Sequence, residues 1–247
     1  MKLFRVFIVS LSALLLAHGL AHAQLPTPSQ IGLNAALIKL FGDNTAFTAT
    51  TDVRILDEAQ KEAVTLTMNF AMSGQLMRAD VDMSQIKSKD VPAQMLAQLK
   101  QMGIEKVASI MRPDKRLSVV VYPGLLAYAD VPMSAQDAID FQKKFDISKA
   151  SLGKETVAGH ACEKTKVVVL GPNGERHEAV VWYAADLKKF PVQMQMGQKD
   201  SHVVLTYRDV RLAKPDAKLF EAPAGYTKYE SMDKLMQAAM ARMLGGK

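Results

Sequence analysis

Cysteine is nearly absent from this chain: Cys162 is the single thiol among 247 residues. That excludes an internal disulfide framework, a CxxC redox pair and any zinc site assembled from several thiolates. Aromatic residues are also scarce, at 6%, and neither glycine (14) nor proline (10) is abundant enough for a collagen-like or low-complexity polymer. Motifs that carry chemistry are missing as well. There is no G-x-S-x-G elbow and no glycine-rich loop of the kind that cradles phosphate. His177 and His202 belong to no metal-ligand pair at helical spacing, and acidic pairs such as Asp80/Asp82 and Glu155/Glu163 read as solvated surface. The expectation is a protein without cofactor or metal, and not an enzyme. What is present is a 49% hydrophobic, 23% charged chain of ordinary globular composition.

The first residues supply an address. Lys2 and Arg5 precede an apolar run from Val6 to Leu16, and Ala21-His22-Ala23 is the small-x-small pattern of a signal-peptidase site. Residues 1–23 therefore read as a signal peptide cleaved after Ala23, which places the mature protein in the periplasm. The run is too short to span a bilayer, and no later stretch is apolar enough to do so. Loss of Lys2 and Arg5 reduces the formal charge from +6 to +4, a mildly basic balance typical of a soluble surface. The pairs Lys143/Lys144 and Lys188/Lys189 are too short for a nucleic-acid patch.

Residues 24–247 show neither an internal repeat nor a dividing linker, and read as a single domain. Ser29 opens a helix through Leu40, and then the period changes to two: Phe47, Ala49, Thr51, Val53 and Ile55 alternate with polar neighbours. The same alternation returns over 64–72 and, after Ser73-Gly74, over 77–83, which gives a hairpin with one apolar face. Asp90 ahead of Val91-Pro92 reads as the N-cap of a helix to Met102 that Gly103 ends. Strands follow over 106–111, 117–122 and 125–131, a helix from Ser134 to Phe145, and then strands over 151–157, 161–170, 175–184, 192–196 and 202–212. A Gly171-Pro172-Asn173-Gly174 turn joins two of them, and a last helix covers 231–244. Roughly ten strands joined by short turns imply an antiparallel sheet, and one that wide must curl. The fold class is mainly β (α+β): a curved antiparallel sheet or half-open β-barrel of about ten strands covered by amphipathic helices.

Fourteen methionines remain after the leader, and ten of them, Met83 included, fall on strands at alternating spacing or on helix faces. Met68, Met72, Met77, Met194 and Met196 lie on strands with Phe70; Met95, Leu99, Met102, Met236 and Met240 lie on helices. Methionine is unbranched and polarizable, so a surface built from it can re-pack around ligands of varied shape. These eleven residues are the candidate lining of a hydrophobic cavity; the competing reading is a core in which methionine fills gaps. His160 and Cys162, two apart on one strand, together with Met194 and Met196 make a conceivable soft-metal set. A buried cysteine packing as a small hydrophobe is the simpler reading. Trp182 reads as a core anchor.

The stretch Val157-Ala158-Gly159-His160-Ala161-Cys162, the Gly171–Gly174 turn, Trp182-Tyr183, Phe190-Pro191 and the ending Leu219-Phe220-Glu221-Ala222-Pro223-Ala224-Gly225-Tyr226 resemble envelope proteins of the LolA/LolB-like fold, in particular their uncharacterised secreted relatives. The resemblance implies a half-open antiparallel barrel with helices across its mouth, and a non-enzymatic role in binding an acyl chain, lipid or lipoprotein between sheet and helices. This chain differs from the family in its methionine-rich C-terminal helix. That helix suggests the alternative function: an envelope interaction or stress-sensing module that docks a protein partner through it.

Overall fold

The computed structural model describes residues 38–133, 145–171, 174, 176–198 and 201–243. The expected signal peptide, the helix expected from Ser29 apart from its last turn at 38–40, the body of the helix expected from Ser134, Pro172-Asn173 and Leu244 lie outside them.

Alternation of apolar and polar side chains drives most of the chain into strands. The first half gives β1 (Ala46–Leu56), β2 (Glu62–Ser73), β3 (Leu76–Asp82), the two-residue β4 (Lys87–Ser88), β5 (Lys106–Arg112), β6 (Leu117–Tyr122) and β7 (Ala127–Pro132). The second half gives β8 (Asp146–Val157), β9 (His160–Leu170), β10 (Arg176–Ala184), β11 (Phe190–Gln198), β12 (Ser201–Arg211) and β13 (Thr227–Tyr229). Two helices are described in full, α1 (Ala93–Met102) and α2 (Met232–Met243). All thirteen strands form one curved, open sheet in the order β13-β7-β6-β5-β3-β2-β1-β12-β11-β10-β9-β8, with β4 paired to β2. Two meanders, one running away from β1 and one returning from the far edge, meet where β1 pairs with β12. Every pairing is antiparallel except that of β13 with β7.

Strand after strand follows the sequence pattern, and β1 is the clearest case, with half-buried and buried residues alternating over its whole length. Two strands beyond the expected set, β4 and β13, are too short to show a period. β8 starts at Asp146 instead of Ser151, because an exposed edge strand has no buried face to make alternate residues apolar. The capping role expected of Asp90 is not realised. Pro92 itself occupies the N-cap position with φ −63° and ψ 140°, without a side-chain cap. Proline bars the preceding Val91 from helical geometry, and the extended ψ of Pro92 itself puts the first helical residue at Ala93. Gly103 does end α1, at φ 71°.

The sheet is covered on both faces. On the inner face α1 and α2 close over Ile55, Val64, Val107, Tyr122, Ala127 and Ala129 through Leu99, Leu235 and Ala239. On the outer face Phe220, from the 3₁₀ turn Ala217–Phe220, packs on Ala71, Ala108, Ile110, Val119 and Val121. The chain thus passes over the outer face, pairs as β13 at the sheet edge, where Thr227 N–H donates to Leu126 O at 2.8 Å, and returns to the inner face as α2. Arg112 fixes the outer passage. Its Nη1 donates to Phe220 O at 2.8 Å, it is paired with Glu221, and its Nε and Nη2 grip Asp114 at 2.9 and 2.7 Å.

Candidate functional site

The inner face is assembled by register. Thr51 stands opposite Met68 and Tyr207, Met68 opposite Val81, and Val81 opposite Val107. Two rows along, Phe47, Met72, Met77 and Met111 follow one another across four strands. On the other side of β1, Val53, Leu205, Met194 and Val181 continue the apolar surface into the second meander. The result is one contiguous nonpolar surface, with Leu66 and Val203 joining the part under the helices to the part around β1 and β12.

One end of this surface is sealed by aromatic packing. Phe41, following the helical turn at 38–40, places its ring 4.7 Å from Phe47, 5.7 Å from Phe190 and 5.6 Å from Tyr207. Edge-to-face contacts of Phe190 with Phe47 at 4.8 Å and with Tyr207 at 5.7 Å complete the plug. Ile38, Met77, Met111, Met133 and Phe145 are partly buried beside it, as are Met68 and Phe70.

The expected lining residues divide accordingly. Met72 (1% exposed) and Met194 (0%) are sealed in the core, while Met68, Phe70, Met77 and Met196 pack against it partly exposed. Leu99, Met102 and Met236 belong to the cluster under the helices. Met95 is partly buried on α1 and stands outside the described clusters. The stripe on α2 is less methionine-dominated than its spacing implies. Leu235 and Ala239 are its fully buried members, and Met240 is 53% exposed. Sequence reasoning missed Met111, Met133 and Phe145. The signal for Met111 was the period of two over Val107, Ser109 and Met111; Phe145 carried none, since no period surrounds it.

Polar groups on this face are few. Thr51 Oγ1, Tyr122 OH and Tyr183 OH are buried without a hydrogen-bond partner among the described residues. Burial pushes the phenols of Tyr122 and Tyr183 up to about 12 and that of Tyr207 higher still. The ammonium of Lys149 lies 4.7 Å from the centre of the Tyr183 ring.

The soft-metal set is not assembled. Cys162 stands opposite Ala184 and Met194 opposite Val181, positions of opposite parity on β10. Burial, with Asp186 and Glu155 nearby, pushes the Cys162 thiol up, so it is held protonated and not as the thiolate a metal binds. His160 Nδ1 instead meets Asp186 at 2.7 Å. Among the described residues no group of three or more His, Cys, Asp or Glu is placed to hold a metal ion. Trp182 is buried and its Nε1–H donates to Glu155 at 2.9 Å. The opposite, polar face carries a groove of about 300 Å³ bordered by Thr48, Thr50, Asn69, Arg78 and Arg211.

Fold and face together define an open, curved antiparallel sheet whose nonpolar concave side lies under helices. No family model and no curated sequence matches the chain. Among solved structures the chain is similar to the lipoprotein LppX of Mycobacterium tuberculosis (12% identity, 72% of this chain and 94% of that chain, TM-score 0.40). It is similar to a LolA superfamily protein of Nitrosomonas europaea (12% identity, 80% and 98%, TM-score 0.37). It is also similar to the MucA/MucB complex of Pseudomonas aeruginosa (13% identity, 78% and 60%, TM-score 0.37). No described helix is long and apolar enough to cross a membrane.

Proposed function

We propose that this chain is a non-enzymatic periplasmic binding protein for a hydrophobic ligand, an acyl chain, lipid or lipid-modified protein, held between the inner face of the sheet and its helices. The observation that carries the reading is the strip of partly buried Met68, Phe70, Met77, Met111, Met133 and Phe145, adjoining a sealed aromatic plug. Flexible thioethers and partly exposed rings on a concave face favour acyl chains of varied length. The signal-peptide pattern of residues 1–23 supports the location.

The test is native mass spectrometry with lipid extraction on protein exported by its own leader and purified without detergent. A lipid or acyl species near one per chain is the expected result, and Met68→Gln with Met77→Gln strips it without lowering the melting temperature by more than a few degrees. A clean apo mass from the unsubstituted chain overturns the reading. The second reading, docking of an envelope partner through α2, is favoured by the exposure of Met240. Met240→Lys separates the two, because it removes docking and leaves lipid content unchanged.

A further inference from the structure

The hydroxyl of Tyr183 presents a problem of accounting. The residue is 8% exposed, its oxygen is buried, and no described group donates to it or accepts from it. A buried hydroxyl left without a partner is costly, and such groups in native proteins call for an explanation. Register places Tyr183 on the inner face. It shares parity on β10 with Val181, which stands opposite Met194, and it packs with the nonpolar cluster around β1 and β12.

Lys149 is the second half of the observation. Opposite Val167, which is itself in that cluster, it lies on the same side of the sheet, and its ammonium sits over the Tyr183 ring. Lys149 belongs to β8, the exposed last strand of the sheet, so this charge marks the rim of the concave face. No described carboxylate forms an ion pair with it, although the basic residues of neighbouring strands are paired, Lys164 with Glu155 and Lys166 with Glu178. Glu163, opposite Tyr183 on β9, is the nearest acid in register, and Lys154 stands opposite it on β8. The rim therefore combines two ammonium groups, one carboxylate and one unpartnered phenol, a balance that favours an anion.

The geometry points to an anionic head group bound between the ammonium of Lys149 and the hydroxyl of Tyr183, so that the ligand is an amphiphile with a carboxylate or phosphate on its acyl chain. This rests on the reading of the inner face as a lipid site. It adds where the ligand's polar end lies and which sign of charge it carries. The tail runs from the β8 rim over Val181 and Met194, and the phenol donates to the anion while the ammonium neutralises it.

The experiment uses the mature, delipidated chain and three single-tailed probes: palmitate, 1-palmitoyl-lysophosphatidate and the neutral 1-monopalmitoylglycerol. Affinities are measured by calorimetry below the probes' micellar concentrations. Roughly tenfold tighter binding of at least one anionic probe over the neutral one is expected, the worth of one charge-assisted contact in a partly dry site. Lys149→Met, which keeps the stem over the ring, should abolish that preference and leave monopalmitoylglycerol binding unchanged. Tyr183→Phe should weaken the anionic probes several-fold while the protein melts no lower than before. The tighter of the two anionic probes distinguishes a fatty acid from a phospholipid as the source. Equal binding of all three probes, or a preference that survives Lys149→Met, overturns the head-group assignment and leaves the lipid site standing. Failure of every probe to bind overturns the lipid reading beneath it.

Discussion

Tyr122 is the place to test whether the packing under α1 and α2 is as dry as it looks. Its side chain is 0% exposed among Leu99, Ile104, Leu235 and Ala239, and its hydroxyl has no partner among the described residues. An unsatisfied buried hydroxyl costs about 1–3 kcal/mol, and Tyr122→Phe removes it with loss of one atom's packing, so the net expectation is a gain of about 1 kcal/mol. In a chain of this size that raises the melting temperature by about 2–4 °C. The phenol also gives the gain a pH signature. Burial pushes it from its ordinary 10 to about 12, so the folded state retains a proton that the unfolded state releases. Stability is unaffected below pH 10 and falls as pH rises through 12, by about 3 kcal/mol in all and about 1.4 kcal/mol at pH 11. Tyr183 and Tyr207 shift the same way, and the difference between the Phe variant and the unsubstituted protein cancels their shares. Urea unfolding followed by Trp182 fluorescence at pH 7 and pH 11 supplies both numbers. A variant less stable at pH 7, with no added advantage at pH 11, would refute the reasoning and place an ordered water on the hydroxyl.

Two further substitutions probe how the covering segments are held. Arg112→Met removes a guanidinium that is 7% exposed and leaves Phe220 O and Glu221 without it, so a loss of about 2 kcal/mol is expected, discounted because Asp114 and Glu221 are half-exposed. Arg112 lies first among the causes that hold Asp114 below its ordinary 3.8, and Lys115 and then Arg112 hold Glu221 below 4.5. Their stabilisation is complete above about pH 4.5 and is lost as pH falls through the depressed folded values, so the variant's acid limb should be flatter, with faster hydrogen exchange over 217–226. An unchanged acid limb counts against the clamp. Gly124→Ala tests a close approach: an added Cβ would stand 2.5 Å from Gly103 O, backbone against backbone. A loss of about 3 kcal/mol is expected, against about 1 kcal/mol for Gly74→Ala, whose φ of 62° is strained but whose surroundings are open. Equal losses in thermal melts would mean that the turn shifts to make room.

The strands were legible because a half-buried strand announces itself by period. From Phe47 to Ile55 every second residue except Thr51 is apolar, and each of these positions proves to face the core. The ends of the sheet were not legible, for opposite reasons. Asp146–Ala150 of β8 is exposed on both sides and has nothing to alternate, while β13 is ordered by pairing with Ala127–Ala129 and not by its own composition. The outer passage through Phe220 was out of reach as well, since two distant arginines hold it: Arg112 at Phe220 O, and Arg78, which donates to Leu219 O at 2.9 Å. For the site, composition located the methionines but not their packing. Met72 and Met68 sit four residues apart on one strand face, yet one lies against the aromatic plug at 1% exposure and the other stays partly open. Met72 stands opposite Phe47 of the plug and Met68 opposite Thr51, partners on another strand that no local pattern encodes.

The two edges of the sheet are treated unequally, and this asymmetry gives the concave face a direction. At the β13 end the chain crosses from the outer face to the inner one, so that edge is three residues long and lies beside α2. At the β8 end twelve residues run along the margin, almost all exposed. A flat, nonpolar edge of that length would invite a second chain to pair with it. Here the pairing register breaks between Ser151 and Gly153, where Gly153 adopts φ 110°, and Lys149, Lys154 and Glu155 occupy the strand. A bulge and charges are the usual means by which proteins keep an edge from pairing. An edge built to refuse another strand while holding an ammonium with no ion pair among the described residues over a buried phenol is suited to a small charged group arriving from solvent. The nonpolar surface leading inward from that point can then receive a tail attached to it.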